Sequence, residues 1–341
     1  MIFAIILLVL LGVSMLANVG HLLEGFAPMR VARTHSVGPR LEEVVTEEHD
    51  AATKIAVVEV NGIITGRMLD QGGYNMVDVI KAQLKRAEED DKVKAVILKV
   101  DSPGGEVLAS DEISRAIADF QIKAHNKPVV CSMGGLAASG GYYVSAPCRW
   151  IVANDLTITG SIGVIMSTWN YRGLMDKVGL RPETFKSGKY KDMLSGSREP
   201  DSMTQEERDM VQALINETYG KFTNVVATGR ERAQEKNKSK GRALNESWAD
   251  YADGRILSGT DAYKLGFVDE LGTFEDAVKR AKSIVGISKA NLIEYQQRFD
   301  LSDLFRLFGK TDSKVVKVDL GMEMPKLQAG QLYFLSPTFL H

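Results

Sequence analysis

The stretch Met133-Gly-Gly-Leu-Ala-Ala-Ser-Gly-Gly-Tyr-Tyr143 sets one hydroxyl, that of Ser139, among alanines and glycines. A strand-like run, Pro128–Ser132, leads into it, and a small-residue run that suits a helix follows. Ser139 therefore falls near a strand-to-helix corner, where the first helical amides are unpaired and can hold an anion. With so little side-chain bulk around it, a substrate backbone can approach the hydroxyl closely. The chemistry this suggests is a nucleophilic serine beside an oxyanion site. A tight turn whose glycines only permit close packing remains the competing reading. A second glycine corner, Asp101-Ser-Pro-Gly-Gly105, ends the preceding strand-like run. In open α/β sheets sites gather at the carboxyl ends of strands. One amide from each corner can hold a carbonyl oxygen from two sides.

A nucleophilic serine needs a base. His125 precedes the strand and so belongs at its opposite end from Ser139, while His21, His35, His49 and His341 lie in terminal or tether regions. A lysine base is the natural alternative. It acts only when neutral, so its pKa must fall from about 10.4 toward neutrality, roughly 4 kcal/mol of desolvation. Lys186, Lys189 and Lys191 lie in or next to a small-residue loop, Ser187–Asp192, and spacing does not choose among them. No phosphate loop is present, because Gly188-Lys189 is followed by Tyr190. No metal-ligand cluster or cofactor motif stands out, and none is expected.

The elements that must position these residues alternate. Apolar strand-like runs at Ile55–Val60, Val93–Val100, Pro128–Ser132 and Trp150–Ala153 are separated by helical spacing at Met76–Glu89 and Glu106–Ala124. Further strands are expected at Ile162–Ile165, Glu183–Lys186 and Val268–Leu271, with a turn over Leu156–Ser161. Helices are expected at Tyr171–Val178, Thr204–Thr228 (capped from Asp201-Ser202), Ser258–Leu265 and Thr273–Val285. The lysine- and arginine-rich stretch Arg230–Arg242 reads as a solvated helix and loop rather than a membrane-surface patch. The pattern is α/β with mainly parallel strands.

The chain has 341 residues, a net charge of −2 and two cysteines. Near-neutral charge gives no reason to expect a nucleic-acid partner. Cys131 and Cys148 read as reduced core residues. Ile2–Gly20 is an apolar run of about 19 residues; as a helix it reaches roughly 28 Å, close to a bilayer's hydrocarbon core. It reads as a membrane anchor, with a cleaved signal peptide as the second choice. Arg30, Arg33 and Arg40 follow it, which mildly favours the bulk of the chain inside. Thr34–Thr53 is acidic and reads as a tether or short surface helix. The expected organisation is an anchor over 1–22, a tether over 23–53, a catalytic domain over 54–298 and a tail over 299–341.

Five segments in order carry a resemblance: Asp101–Gly105, Gly135–Tyr143, Thr159-Gly-Ser-Ile-Gly-Val-Ile165, Ser187–Asp192, and Asp253-Gly-Arg-Ile-Leu-Ser-Gly259 followed by Ala262–Gly272. Together they resemble the signal peptide peptidase A family of membrane-anchored bacterial serine proteases, over roughly Ile55–Val285. The resemblance implies a crotonase-like (caseinolytic-protease-like) spiral of sheet and helix with an N-terminal transmembrane helix. It implies a Ser-Lys dyad: Ser139 the nucleophile, Lys191 the base, Ser161 a hydrogen-bond partner for the lysine amine, and Gly105 and Gly140 the oxyanion donors. Where the family often has a third glycine, this chain has Glu106. The implied substrates are signal-peptide remnants and other extended apolar peptides. The implied place is the bacterial inner membrane with the catalytic domain extracytoplasmic, against the arginine count. By analogy with double-length relatives, a homo-oligomeric ring pairing Ser139 of one subunit with Lys191 of the next is expected. The apolar tail, Leu327–Leu340, is expected either to lie in the substrate cleft or to pack as a final strand. A crotonase-type acyl-CoA enzyme would share the paired-amide hole and is the alternative function.

Overall fold

The computed structural model describes residues 38–67, 74–124, 127–297 and 333–335. The expected anchor, Ile2–Gly20, lies outside them. Among the described residues no helix is long and apolar enough to cross a membrane.

A nine-stranded sheet forms the centre. Its strands are β1 (Leu41–Glu47), β2 (Lys54–Asn61), β3 (Val93–Ser102), β5 (Val129–Ala138), β6 (Trp150–Ala153), β7 (Ile158–Gly160), β8 (Ile256–Ser258), β9 (Glu270–Leu271) and β10 (Asn291–Gln297). The order is β1-β10-β2-β3-β5-β6-β9, with β7 on the far part of β5 and β8 on β7. All pairs are parallel except β1 with β10 and β7 with β8. Between β2 and β3 runs α1 (Met76–Glu89). A short β4 (Gly104–Glu106) and α2 (Val107–Lys123) connect β3 to β5. The remaining helices are α3 (Gly140–Ser145), α4 (Arg172–Lys177), α5 (Gln205–Lys236), α6 (Gly259–Lys264) and α7 (Phe274–Val285). A separate strand, β11 (Tyr333–Leu335), pairs with β4.

The near-continuous apolar strands are explained by burial on both faces. Successive side chains of a strand point to opposite sides. Ala56, Val58, Val60, Val96, Leu98 and Val100 therefore pack on one face with α1 and α2. Ile55, Val57, Ala95 and Ile97 pack on the other with Ala277, Val278 and Ala281 of α7. Both cysteines are free and buried, as expected of core residues.

Several local readings differ from the sequence expectation. Residues 41–47, expected in a tether or surface helix, form β1 because β10 offers them a pairing edge. The strand expected at Ile162–Ile165 sits earlier, at Ile158–Gly160, where a turn was expected; the extended β5 supplies its partner. Glu183–Lys186 finds no strand partner. Helix α5 is capped by Thr204 and Glu207 in a capping box, not by Asp201-Ser202, and runs on to Lys236. Arg230, expected in solvent, is buried and ion-paired with buried Asp269.

Candidate active site

Strand β5 continues through Met133–Ala138, beyond the apolar run that starts it, and delivers Ser139 directly at its end. The Asp101 carboxylate helps by accepting from the Leu136 amide at 3.0 Å. Ser139 has φ 54° and ψ −117°, outside the favoured regions for an L-residue. This strained strand-to-helix corner is held by two bonds: Ser139 N–H to Gly160 O and Tyr143 N–H to Ser139 O, both 2.8 Å. The hydroxyl is buried and has no hydrogen-bond partner. An orphaned buried hydroxyl under backbone strain suits a nucleophile better than a structural turn.

Gly140 opens α3, so its N–H has no intrahelical acceptor. The second amide comes from β4. Gly104 has φ 101°, and a methyl group on Gly105 would lie 1.9 Å from the Ile64 carbonyl oxygen. Only glycines let this backbone run so close to its neighbours. Such a methyl on Gly104 would lie 2.6 Å from Gly140 N, which shows how near the two corners stand. Glu106 pins the flanking loop: its carboxylate accepts from Thr65 Oγ1 at 3.0 Å and from Gly66 N–H at 2.9 Å.

β7 lies parallel to β5 with Gly160 opposite Ala138. Ser161 is therefore set beside Ser139, one residue past the end of each strand. It too has positive φ, 50°, and its N–H donates to Arg255 O at 2.7 Å. The structure thus brings Ser139, Ser161, Gly105 and Gly140 together at one end of adjacent strands.

Within one chain Lys191 makes no hydrogen bond to the Ser139 hydroxyl. From Ser167 to Pro200 no residue is buried, and Lys191 is exposed on this arm. The three lysines of the loop nevertheless differ. Lys186 pairs with Asp192 at 2.6 Å and Lys189 with Glu206 at 2.8 Å. The Glu206 and Tyr190 hydrogen bonds hold the Lys189 ammonium well above its ordinary pKa, the wrong direction for a base. Among the described residues Lys191 makes no side-chain ion pair or hydrogen bond.

Sequence reading missed a wall of the site. Tyr143, four residues beyond the serine, stands against Phe222 of α5 with ring centroids 4.9 Å apart. Its hydroxyl donates to Asp111 at 2.8 Å, and Lys221 bonds the same carboxylate at 2.9 Å. Burial and the Asp111 charge push the Tyr143 hydroxyl's pKa up. Burial alone would raise the Asp111 pKa, but Lys221, Tyr143 and Arg115 outweigh it and hold it down. The Tyr142-Tyr143 pair was the available signal, but a sequence does not show which aromatic meets which helix.

Known proteins resemble this chain in sequence. The model of peptidase family S49 matches residues 121–288. A protein of Enterococcus faecium assigned by name to the signal peptide peptidases, SppA, is 39% identical over 75% of this chain and 71% of its own length. A Methanocaldococcus jannaschii protein named as a protease is 42% identical over 70% of this chain and 73% of its own. The Protease 4 of Haemophilus influenzae is 35% identical over 70% of this chain but 36% of its own length. The chain belongs to peptidase family S49, the family of signal peptide peptidase A.

Proposed function

We propose that this peptidase is a membrane-anchored serine endopeptidase with a Ser-Lys dyad. Ser139 attacks the scissile carbonyl, and Lys191, donated by a neighbouring subunit of a homo-oligomeric ring, takes its proton. Ser161 orients the lysine amine, and the Gly105 and Gly140 amides receive the oxyanion. The observation that carries the reading is the Ser139 hydroxyl: buried, unpartnered and strained at the end of β5. The exposed position of Lys191 supports a base supplied from outside the subunit. The arm's Trp169, Leu174, Val178 and Phe185, all more than half exposed, are the kind of surface a second subunit covers.

In this reading the substrates are signal-peptide remnants and other extended apolar chains, bound by strand addition. The fold is crotonase-like, Ile2–Gly20 crosses the inner membrane, and the catalytic domain faces away from the cytoplasm. Membership of a peptidase family leaves no observation favouring the acyl-CoA alternative.

Subunit mixing tests the reading. Ser139→Ala and Lys191→Ala proteins should each be inactive, and mixed oligomers should regain part of the activity. Mixed oligomers that form yet stay inactive refute the shared site. An active Ser139→Ala protein refutes the nucleophile.

A further inference from the structure

A cavity of about 680 Å³ lies between α2 and α5, its wall completed by Lys127 and Pro128 before β5 and by Pro147 and Arg149 before β6. Cavities of this size hold small organic molecules, mostly through apolar contact with a few placed polar groups.

The charge of this wall is lopsided. It carries six basic and two acidic side chains, in a chain whose overall charge is −2. Lys127 donates to the carbonyls of Ala87, Glu88 and Asp90 at the end of α1, and Arg149 to the Asn237 side chain and the Lys236 carbonyl. These acceptors are neutral, and burial pulls both pKa values below their ordinary range, as for charges short of a counter-ion. Arg232 and Lys236 also line the cavity. Among the described residues they make no side-chain ion pair or hydrogen bond. The basic run that begins at Arg230 thus turns two uncommitted cations onto a cavity. The acids, Asp111 and Glu235, disfavour a doubly charged guest. Ala118, Ile122 and Val225 add apolar surface, with Ile122 73% exposed. The fitting chemistry is a single negative charge on an apolar body.

The cavity adjoins the back of the catalytic corner. Arg115 and Lys221 line it and share the Asp111 carboxylate at 2.8 and 2.9 Å. The carboxylate is 9% exposed, Lys221 44% and Arg115 68%, so the cations can turn to a guest and the acid cannot. Asp111 also accepts from the Tyr143 hydroxyl, and the Tyr143 amide donates to Ser139 O. Lys221 is followed on α5 by Phe222, whose ring packs on Tyr143. A guest that draws Lys221 and Arg115 away leaves a buried carboxylate uncompensated, with Tyr143 its remaining partner.

We propose that this cavity binds a small amphipathic carboxylate, and that its occupancy slows hydrolysis at Ser139 through Asp111 and Tyr143. A fatty acid and a short apolar peptide with a free C-terminus both present that chemistry. The binding does not depend on the protease reading; the slowing does.

The test is titration calorimetry of the full-length protein in non-ionic detergent with 2-naphthoate, and with neutral 2-naphthamide to control for partition into micelles. One naphthoate per subunit should bind, about 10-fold or more tighter than the amide. Arg232→Glu and Lys236→Glu should each weaken it about 10-fold, while Arg208→Glu, toward the other end of α5, leaves it unchanged. Saturating naphthoate should lower kcat on a peptide about 5-fold, and Arg232→Glu should need about 10-fold more naphthoate for the same effect. In competition, displacement by decanoate indicates a lipid source and displacement by acetyl-leucyl-leucine a peptide source; either upholds the site. Equal affinity for acid and amide, or affinity unmoved by both charge reversals, overturns it. Competitive inhibition that Arg232→Glu does not shift puts the guest in the substrate cleft and overturns it too. Binding with kcat unchanged overturns the coupling. If no peptide is cut at all, the protease reading falls and the calorimetry still decides the site. Should one charge reversal not fold, the other decides.

Discussion

The end of β5 and the arm from Ser167 to Pro200 are opposite kinds of surface. Around Ser139 nearly every residue is buried, and the chain is held by backbone bonds to β7. On the arm nothing is buried, and Phe185 is 93% exposed. Its cohesion comes from ion pairs, among them Arg172 with Glu199 and Arg198 with Glu207. The first region is finished within one chain; the second leaves apolar side chains such as Trp169, Leu174 and Phe185 mostly exposed. A dyad divided between them would be set rigidly at one end and completed only on assembly.

The sharpest break in that comparison is Ser139→Ala. It should lower peptide hydrolysis by about 10⁴-fold or more. Thermal stability should hold, because the hydroxyl removed has no partner to lose. Lys191→Ala should be nearly as damaging, whereas Lys189→Ala should stay within about 3-fold of wild type, since that lysine only pairs with Glu206 on the surface. Initial rates on one peptide check all three, and a reversed pattern would move the base to Lys189.

Gly105→Ala is intermediate. Its methyl would meet the Ile64 carbonyl, so β4 must shift and misplace the amide. A loss of about 10²-fold in kcat is expected, with a stability cost of about 1–3 kcal/mol by denaturant titration. Phe185→Asp should leave the folded subunit unchanged and weaken its self-association about 10-fold, read by analytical ultracentrifugation.

The smallest effect is one of pH. The Arg198 guanidinium and the Thr204 amide hold the Glu207 carboxyl down to about 2. An ordinary unfolded glutamate titrates near about 4.3. Because the folded value is the lower one, the stabilisation is fully present above about 4.3 and disappears as pH falls toward about 2. The Tm difference between wild type and Glu207→Gln should therefore be seen at pH 6 and shrink on acidification.

The two regions also differ in how legible they were. Ser139's corner could be read because its information is local: apolar runs, two glycine corners and alanines on consecutive residues. Helices α1, α6 and α7 were readable for the same reason. Arg230 was misread because its partner, Asp269, is distant in sequence and only the fold makes it a buried pair. β1 and β10 are ordinary segments that become strands by finding each other. Choosing among the lysines likewise needed Asp192 and Glu206 in space.

Helix α5 has a mechanical consequence. Its 32 residues span about 48 Å. Phe222, Val226, Gly229, Arg230 and Ala233 bury its second half, and from Arg208 to Lys221 no residue is buried. It is a beam clamped at one end, with the Arg230–Asp269 pair in the clamp and the arm's Lys189 and Arg198 tied to the free end through Glu206 and Glu207. A few degrees of rotation at the clamp moves the free tip by several ångströms, more than a hydrogen bond tolerates. The stiffness of residues far from any chemistry would then govern how often a lysine carried by the arm stands within reach of a serine.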